Sequence, residues 1–198
     1  MTRTLIIMVK APQVGHVKTR LGRDIGRIPA TWWYRHQVAR TLRRLRDPRW
    51  RIVLAVAPDT AVGAGWWPLD LDRAPQRSGD LGERMRRQLA AVRGPAVLIG
   101  SDIPDISRAH IIRAFDALGW ADAVFGPAED GGYWLVGLRG TRAMPPAFLR
   151  NVRWSAPETL ADSLASLDGL RPSLIDTLRD VDTGADLNAF RHDGTGVA

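Results

Sequence analysis

The chain has 198 residues, 45% hydrophobic and 25% charged, a globular profile long enough to bury a core without cross-links. It contains no Cys, which excludes thiol nucleophiles, Cys-ligated zinc and iron–sulfur clusters. Its net charge of +7 comes from 28 basic residues, of which only Lys10 and Lys18 are lysine; this favours anionic partners, although Arg is spread along the chain and not gathered in a tail.

No apolar run approaches the roughly 18 residues that span a bilayer. The N-terminal run breaks at Lys10, too early for a secretory leader. One cytoplasmic domain over residues 1–198, without a membrane span, is expected.

In chain order, "TLIIMV" (4–9) reads as a buried strand. In "VKAPQVGHVKTRLG" (9–22), Pro12 and Gly15 oppose a helix and predict a loop. Gly15 frees backbone N–H groups, and Lys18 and Arg20 follow closely, which suits phosphate binding. Lys10, Ala11, Gly15, Lys18 and Arg20 are therefore candidate nucleotide contacts. The spacing is not that of a Walker A loop, and an ordinary strand–helix loop carrying surface lysines is the alternative. "ATWWYRHQVARTLRRL" (30–45) predicts a helix with Trp33, Gln37 and Arg40 on one side and Trp32, Val38, Leu42 and Leu45 nearer the other. The basic cluster "RTLRRLRDPRWR" (40–51) reads as a solvated helix face. "RIVLAVA" (51–57) is a second strand. The pairs Trp32/Trp33 and Trp66/Trp67 suit packing, or contacts between copies of a homo-oligomer.

"SGDLGERM" (78–85) has a loop-to-helix form, with a helix predicted over 80–92. Gly79 and Gly82 lie at its N-terminus, where free N–H groups favour an anion or a base edge, and Gly79 and Asp80 are the candidate nucleotide contacts there. Alternatively, Asp80 and Glu83 serve the helix dipole. "PAVLIG" (95–100) is a third strand, and Asp102 follows it in "SDIPDIS". A carboxylate there can hold a hard divalent cation against a phosphate, or merely cap a turn. A helix over 107–118 starts at Ser107. "DAVFG" (122–126) and "YWLVGL" (133–138) are strands flanking an acidic turn. Glu129, Asp130, Gly131, Gly132 and Tyr133 are candidate substrate contacts there, because paired glycines let a ligand approach the backbone. A plain hairpin turn is the alternative. A helix over 155–167 opens with a Ser155/Glu158 capping box. Near the end, Asp180 and Asp182 alternate along an extended piece and so share one side. Thr183 and Asp186 open a last helix. If Asp182 faces Asp102 the two can share a metal; otherwise Asp182 is a cap. The four histidines show no metal-ligand spacing, and no nucleophile has a matched base.

Strands alternating with helices predict a three-layer α/β/α fold around a mostly parallel, Rossmann-like sheet. In such sheets ligands bind at the carboxyl ends of strands.

Taken together, "MVKAPQVGHVKTRLG", "SGDLGERM", "VLIGSDIPDIS", "GPAEDGGYWLVGL", "VRWSAPETL" and "LRDVDTGADL" resemble a bacterial family of GT-A-like nucleotide-diphospho-sugar transferases. That family is akin to the molybdenum-cofactor and phospholactate guanylyltransferases. The resemblance spans nearly the whole chain. It implies a GT-A fold, with Lys18 and Arg20 near phosphates and Lys10 close by. It further implies that Asp102 and Asp182 ligate Mg²⁺ or Mn²⁺. Two departures stand out. His16 replaces a common Arg or Lys, which would weaken phosphate contact. Gly184 and Ala185 replace Pro and Glu, which would loosen a helix start.

The leading expectation is a metal-dependent transferase using a nucleotide-activated donor, most simply a nucleotide-diphospho-sugar, and a small acceptor. Lys18, Arg20 and Asp102 would carry the chemistry by neutralising the leaving group. Nucleotidyl transfer from an NTP to a phosphorylated acceptor, releasing pyrophosphate, is the alternative. A nucleic-acid-binding module fits less well, because no recognisable RNA-binding motif is present.

Overall fold

The computed structural model describes residues 2–192. Seven strands form one sheet in the order β3-β2-β1-β4-β6-β5-β7. They are β1 (Arg3–Lys10), β2 (Trp50–Ala57), β3 (Asp72–Pro75), β4 (Ala96–Ile99), β5 (Ala123–Pro127), β6 (Tyr133–Leu138) and β7 (Pro172–Leu174). Only β6 runs against the others; the β1–β2, β1–β4, β2–β3 and β5–β7 pairs are parallel. The carboxyl ends of β1, β4 and β5 therefore lie on one side of the sheet. The helices are α1 (Thr19–Ile25), α2 (Arg27–Arg44), α3 (Leu81–Ala90), α4 (Arg108–Ala117), α5 (Thr159–Ala165) and α6 (Gly184–His192).

The pleat of β1 explains the layers. Leu5, Ile7 and Val9 face α2 and α4, packing with Val38, Leu42, Ile111 and Phe115. Ile6 points the other way, into a core built with Met85 and Leu89 of α3 and flanked by Leu160 and Leu164 of α5. Both faces are covered, which is why the strands read as unbroken apolar runs. A third, small cluster of Leu21, Ala30, Val181 and Leu187 docks α6 onto α1 and α2.

Several expectations are corrected. Helix α1 begins at Thr19, inside the segment read as loop, once the chain has passed Gly15. The Ser155/Glu158 capping box does not form: Ser155 sits at φ +59°, and α5 starts only at Thr159. The hydroxyl of Thr159 takes over there, accepting from the Ala156 N–H and donating to the Arg153 carbonyl. Trp32 is exposed and stacks on His36, because the buried face of α2 runs through Tyr34, Gln37, Val38 and Thr41. Asp180 and Asp182 lie in a connecting segment outside any strand.

Candidate active site at the carboxyl ends of the strands

Three remote segments meet beyond β1 and β4. The first is the loop after β1. The Ala11 N–H extends the pairing to the Ala57 carbonyl at 2.7 Å, and Gly15 turns the chain at φ +80°. Lys18 then adopts φ 45° and ψ 50° immediately before α1. A left-handed non-glycine backbone costs roughly 1–2 kcal/mol. It aims the Lys18 side chain inward, where only 5% of it is exposed.

The second segment follows β4. Ser101 is buried, and its hydroxyl lies 3.2 Å from that of Tyr34 on α2. Asp102 comes next, and Lys18 Nζ donates to Asp102 Oδ2 at 3.0 Å. Gly100 gives this carboxylate room: a Cβ there would stand 2.9 Å from Asp102 Oδ1.

The third segment precedes α6. Val181 is buried against Leu21 and Leu187, which fixes the height of Asp182. The Asp186 carboxylate accepts the backbone N–H groups of Asp182 at 3.1 Å and Thr183 at 2.8 Å. The Asp186 N–H donates back to the Thr183 hydroxyl, closing a reciprocal cap. The Gly184 N–H donates to Asp24 of α1 at 2.7 Å, so this departure from the family pattern ties the helix start down instead of loosening it. Held this way, Asp182 Oδ1 accepts from Lys18 Nζ at 2.6 Å, and its Oδ2 lies 3.5 Å from Arg20 Nη1.

Burial alone would lower the Lys18 pKa, but Asp102 and Asp182 outweigh it and hold the ammonium above its ordinary value. Asp180 is pushed up to about 6, first by burial and then by the neighbouring negative charge of Asp182. Asp102 and Asp130 add to that push, and Lys18 opposes it. The Asp102 and Asp182 side chains stay 42% and 36% exposed. Among the described residues no group of three acidic, His or Cys side chains is close enough to cage a metal ion.

The acidic turn after β5 reaches the same end. Ala128 bridges Leu178, and Glu129 lies 4.0 Å from Arg179. Asp130 accepts the Gly132 N–H at 2.9 Å. Gly131 has φ +84°, and a Cβ there would sit 2.2 Å from the Pro157 carbonyl oxygen. Tyr133 turns into the core, with its ring edge-on to Phe125 and Trp154 and its hydroxyl near Ser163. Lys10 ends β1; its backbone N–H donates to the Tyr34 hydroxyl at 2.8 Å and its side chain is exposed. Gly79 and Asp80 lie beyond β3, where Asp80 and Glu83 form the capping box of α3. No hydrogen bond or ion pair links Gly79 or Asp80 to Lys18 among the described residues. His16 is exposed on the loop.

Tyr34, Ser101 and Trp33 were not foreseen at this site. Tyr34 ties the end of β1 to the end of β4, and the Trp33 ring lies 6.0 Å from Lys18 Nζ. In the sequence they are ordinary helix and loop residues, and no spacing marks them.

Comparison with known proteins agrees with this architecture. A structure from Desulfovibrio desulfuricans G20, described as a candidate nucleotide-diphospho-sugar transferase, is 30% identical over all of this chain and 90% of its own, with a TM-score of 0.88. Rv0371c from Mycobacterium tuberculosis H37Rv, solved in complex with manganese, is 17% identical over 96% of this chain and 97% of its own, with a TM-score of 0.56. CMP:2-keto-3-deoxy-manno-octonic acid synthetase, solved with CTP, is 15% identical over 98% of both chains, with a TM-score of 0.54. These likenesses establish a GT-A-like nucleotide-diphospho-sugar transferase fold. No curated protein matches the sequence. The model of DUF2064, described as an uncharacterized protein conserved in bacteria, matches residues 41–156, more than half of the chain, and the chain belongs to that family.

Proposed function

We propose that this protein is a metal-dependent transferase acting on a nucleotide-activated donor, in the simplest case a nucleotide-diphospho-sugar. One observation carries the reading: Lys18, Asp102 and Asp182, from three remote segments, converge at the strand ends where sheets of this kind take nucleotides. The 30% identical relative is described as a candidate nucleotide-diphospho-sugar transferase.

The side chains fit a divalent cation. Mg²⁺ is commonly bound by one or two carboxylates plus substrate phosphates and waters, without a full protein cage. Asp102 and Asp182 supply two hard, half-exposed carboxylates, each also paired to Lys18. Manganese in Rv0371c agrees with such an ion. When bound, it would neutralise charge on the diphosphate.

The remaining work belongs to the chain itself. An acceptor hydroxyl attacks the sugar carbon, the carbon–oxygen bond to the diphosphate breaks, and the nucleoside diphosphate leaves with the bonding electrons. Lys18 and Arg20 neutralise the departing phosphates, and Lys10 guides them at the end of β1. Gly15 and Ala11 shape the loop around them, and Gly79 and Asp80 meet the nucleoside. The turn of Glu129, Asp130, Gly131 and Gly132 lies beside Asp180 and is the place for the acceptor, whose proton goes to one of its carboxylates. Tyr133 supports that turn from the core.

A second reading, nucleotidyl transfer, is favoured by the three cations Lys10, Lys18 and Arg20 between the end of β1 and the start of α1, and by the CTP-bound synthetase of the same fold. Product analysis separates the two. Incubation with nucleotide-sugars and Mn²⁺ is expected to release nucleoside diphosphate. Pyrophosphate released from an NTP, with no diphosphate from any nucleotide-sugar, would replace the first reading with the second.

A further inference from the structure

Two sequence features are left unused by the strand-end site: the basic cluster of α2 and the Trp66/Trp67 pair. They meet. A cavity of about 250 Å³ lies between α2 and residues 66–68, on the sheet face opposite α3 and α5. Arg35, Ala39, Leu42, Arg43 and Arg46 line it from α2 and the turn after it, at the three- and four-residue spacing that puts side chains on one helix face.

The floor is apolar: Val38, Leu42 and Trp67 are buried, and the Trp67 indole is anchored by donating to the Ala61 carbonyl at 2.9 Å. The rim is cationic. Arg46 is satisfied by Asp70, with one contact at 3.0 Å, but Arg35 and Arg43 have no carboxylate partner among the described residues. Trp66 stands edge-on to Trp67 with 47% of its surface exposed, a large apolar ring at the mouth of the cavity. An apolar well edged by unpaired cations and an open indole is complementary to one ligand class. Its body must be flat and apolar to displace water from the floor, and its anionic group must reach the guanidinium forks.

We propose that this cavity is a binding site for a small anion with a flat apolar body, the class of aryl phosphates and aromatic carboxylates. It is separate from the Lys18 site but adjoins it. Tyr34 lines the cavity, and its hydroxyl is tied to Ser101, the residue before Asp102.

The test is titration of the full chain with 1-naphthyl phosphate, followed by tryptophan fluorescence and calorimetry. Inorganic phosphate and 1-naphthol serve as the two half-ligands. Saturable binding at least tenfold tighter than either half-ligand is expected. Arg35→Ala/Arg43→Ala should weaken it tenfold or more, and Trp66→Ala should weaken it with its thermal midpoint unchanged. Asp102→Ala should leave it unaltered. Equal affinity in the double Arg variant, or loss of binding in Asp102→Ala, would overturn the assignment. The second result would put the probe at the strand-end site.

Discussion

Lys18 combines two unfavourable features, a left-handed backbone and a buried ammonium. Both are held in place by Asp102 and Asp182. Strain of this kind persists where the surrounding structure fixes it, and it concentrates at functional sites. If Lys18 neutralises phosphates, Lys18→Ala should reduce thermal stabilisation by ligands in the order triphosphate, diphosphate, monophosphate. Stabilisation by the bare nucleoside should not change; an equal loss there would remove Lys18 from the phosphate site. Gly100→Ala offers a gentler probe. Its Cβ would press on the outer oxygen of Asp102, a movable side-chain end, so the fold should tolerate it while the carboxylate shifts. The Mn²⁺-dependent part of a nucleotide thermal shift should fall with little change in the unliganded midpoint. Gly131→Ala is the contrasting case, because backbone of the 157 region blocks its Cβ at φ +84°. It should cost at least 2 kcal/mol or so, or about 4–8 °C of midpoint for a chain of this size.

At the scale of elements, α6 is what delivers Asp182, and its hold on α1 and α2 is a small apolar cluster. Leu187→Ala should cost about 2–4 kcal/mol where α6 docks. It should also weaken Mn²⁺-dependent nucleotide binding although no polar group has changed. Binding that survives intact would mean that Asp182 does not need α6. A second element-level prediction concerns acid. Arg153 holds Asp162 through paired hydrogen bonds at 2.9 and 2.8 Å, bracing the segment before α5. These bonds from Arg153 pull the Asp162 pKa from 3.8 to about 2. A depressed carboxylate stabilises the fold above its unfolded pKa, and the contribution fades as pH falls from near 4 towards 2. The melting midpoint of Asp162→Asn should therefore fall less steeply than that of the parent over this interval; parallel curves would contradict the assignment. The sequence was most legible at this scale. "TLIIMV", "RIVLAVA", "PAVLIG", "DAVFG" and "YWLVGL" lie within strands or overlap them to a residue or two, because burial on both faces leaves continuous apolar runs. Strands β3 and β7 escaped because they are short and only partly buried, so neither pattern nor composition marks them. The capping box at Ser155 failed because Ser155 turns the chain at φ +59° before α5 starts, and the Thr159 hydroxyl braces that turn through the Ala156 N–H and the Arg153 carbonyl.

For the whole molecule, topology turns a list of candidate residues into a site. Lys18 lies 84 positions from Asp102 and 164 from Asp182, and only the parallel β1–β4 pair and the return of α6 bring them together. Sequence patterning nominated all three side chains, but it carries no information on distances across such separations. Nor could it reveal that the ammonium lies between the carboxylates, or that Tyr34 joins the ends of β1 and β4. The same topology sets the α2 cavity on the other side of Tyr34, so one chain offers two candidate sites at neighbouring places. On the proposed readings, the strand-end site takes a cation with a phosphorylated ligand, and the α2 cavity takes an anion. The central claim, that Lys18, Asp102 and Asp182 form a metal-assisted nucleotide site, is tested most directly by calorimetric titration of a nucleoside diphosphate with and without Mn²⁺. The wild-type chain is compared with Asp102→Ala and Asp182→Ala. Binding should strengthen at least tenfold with Mn²⁺ in the wild type, and the gain should vanish in both variants. An undiminished Mn²⁺-dependent gain in either variant would contradict the account.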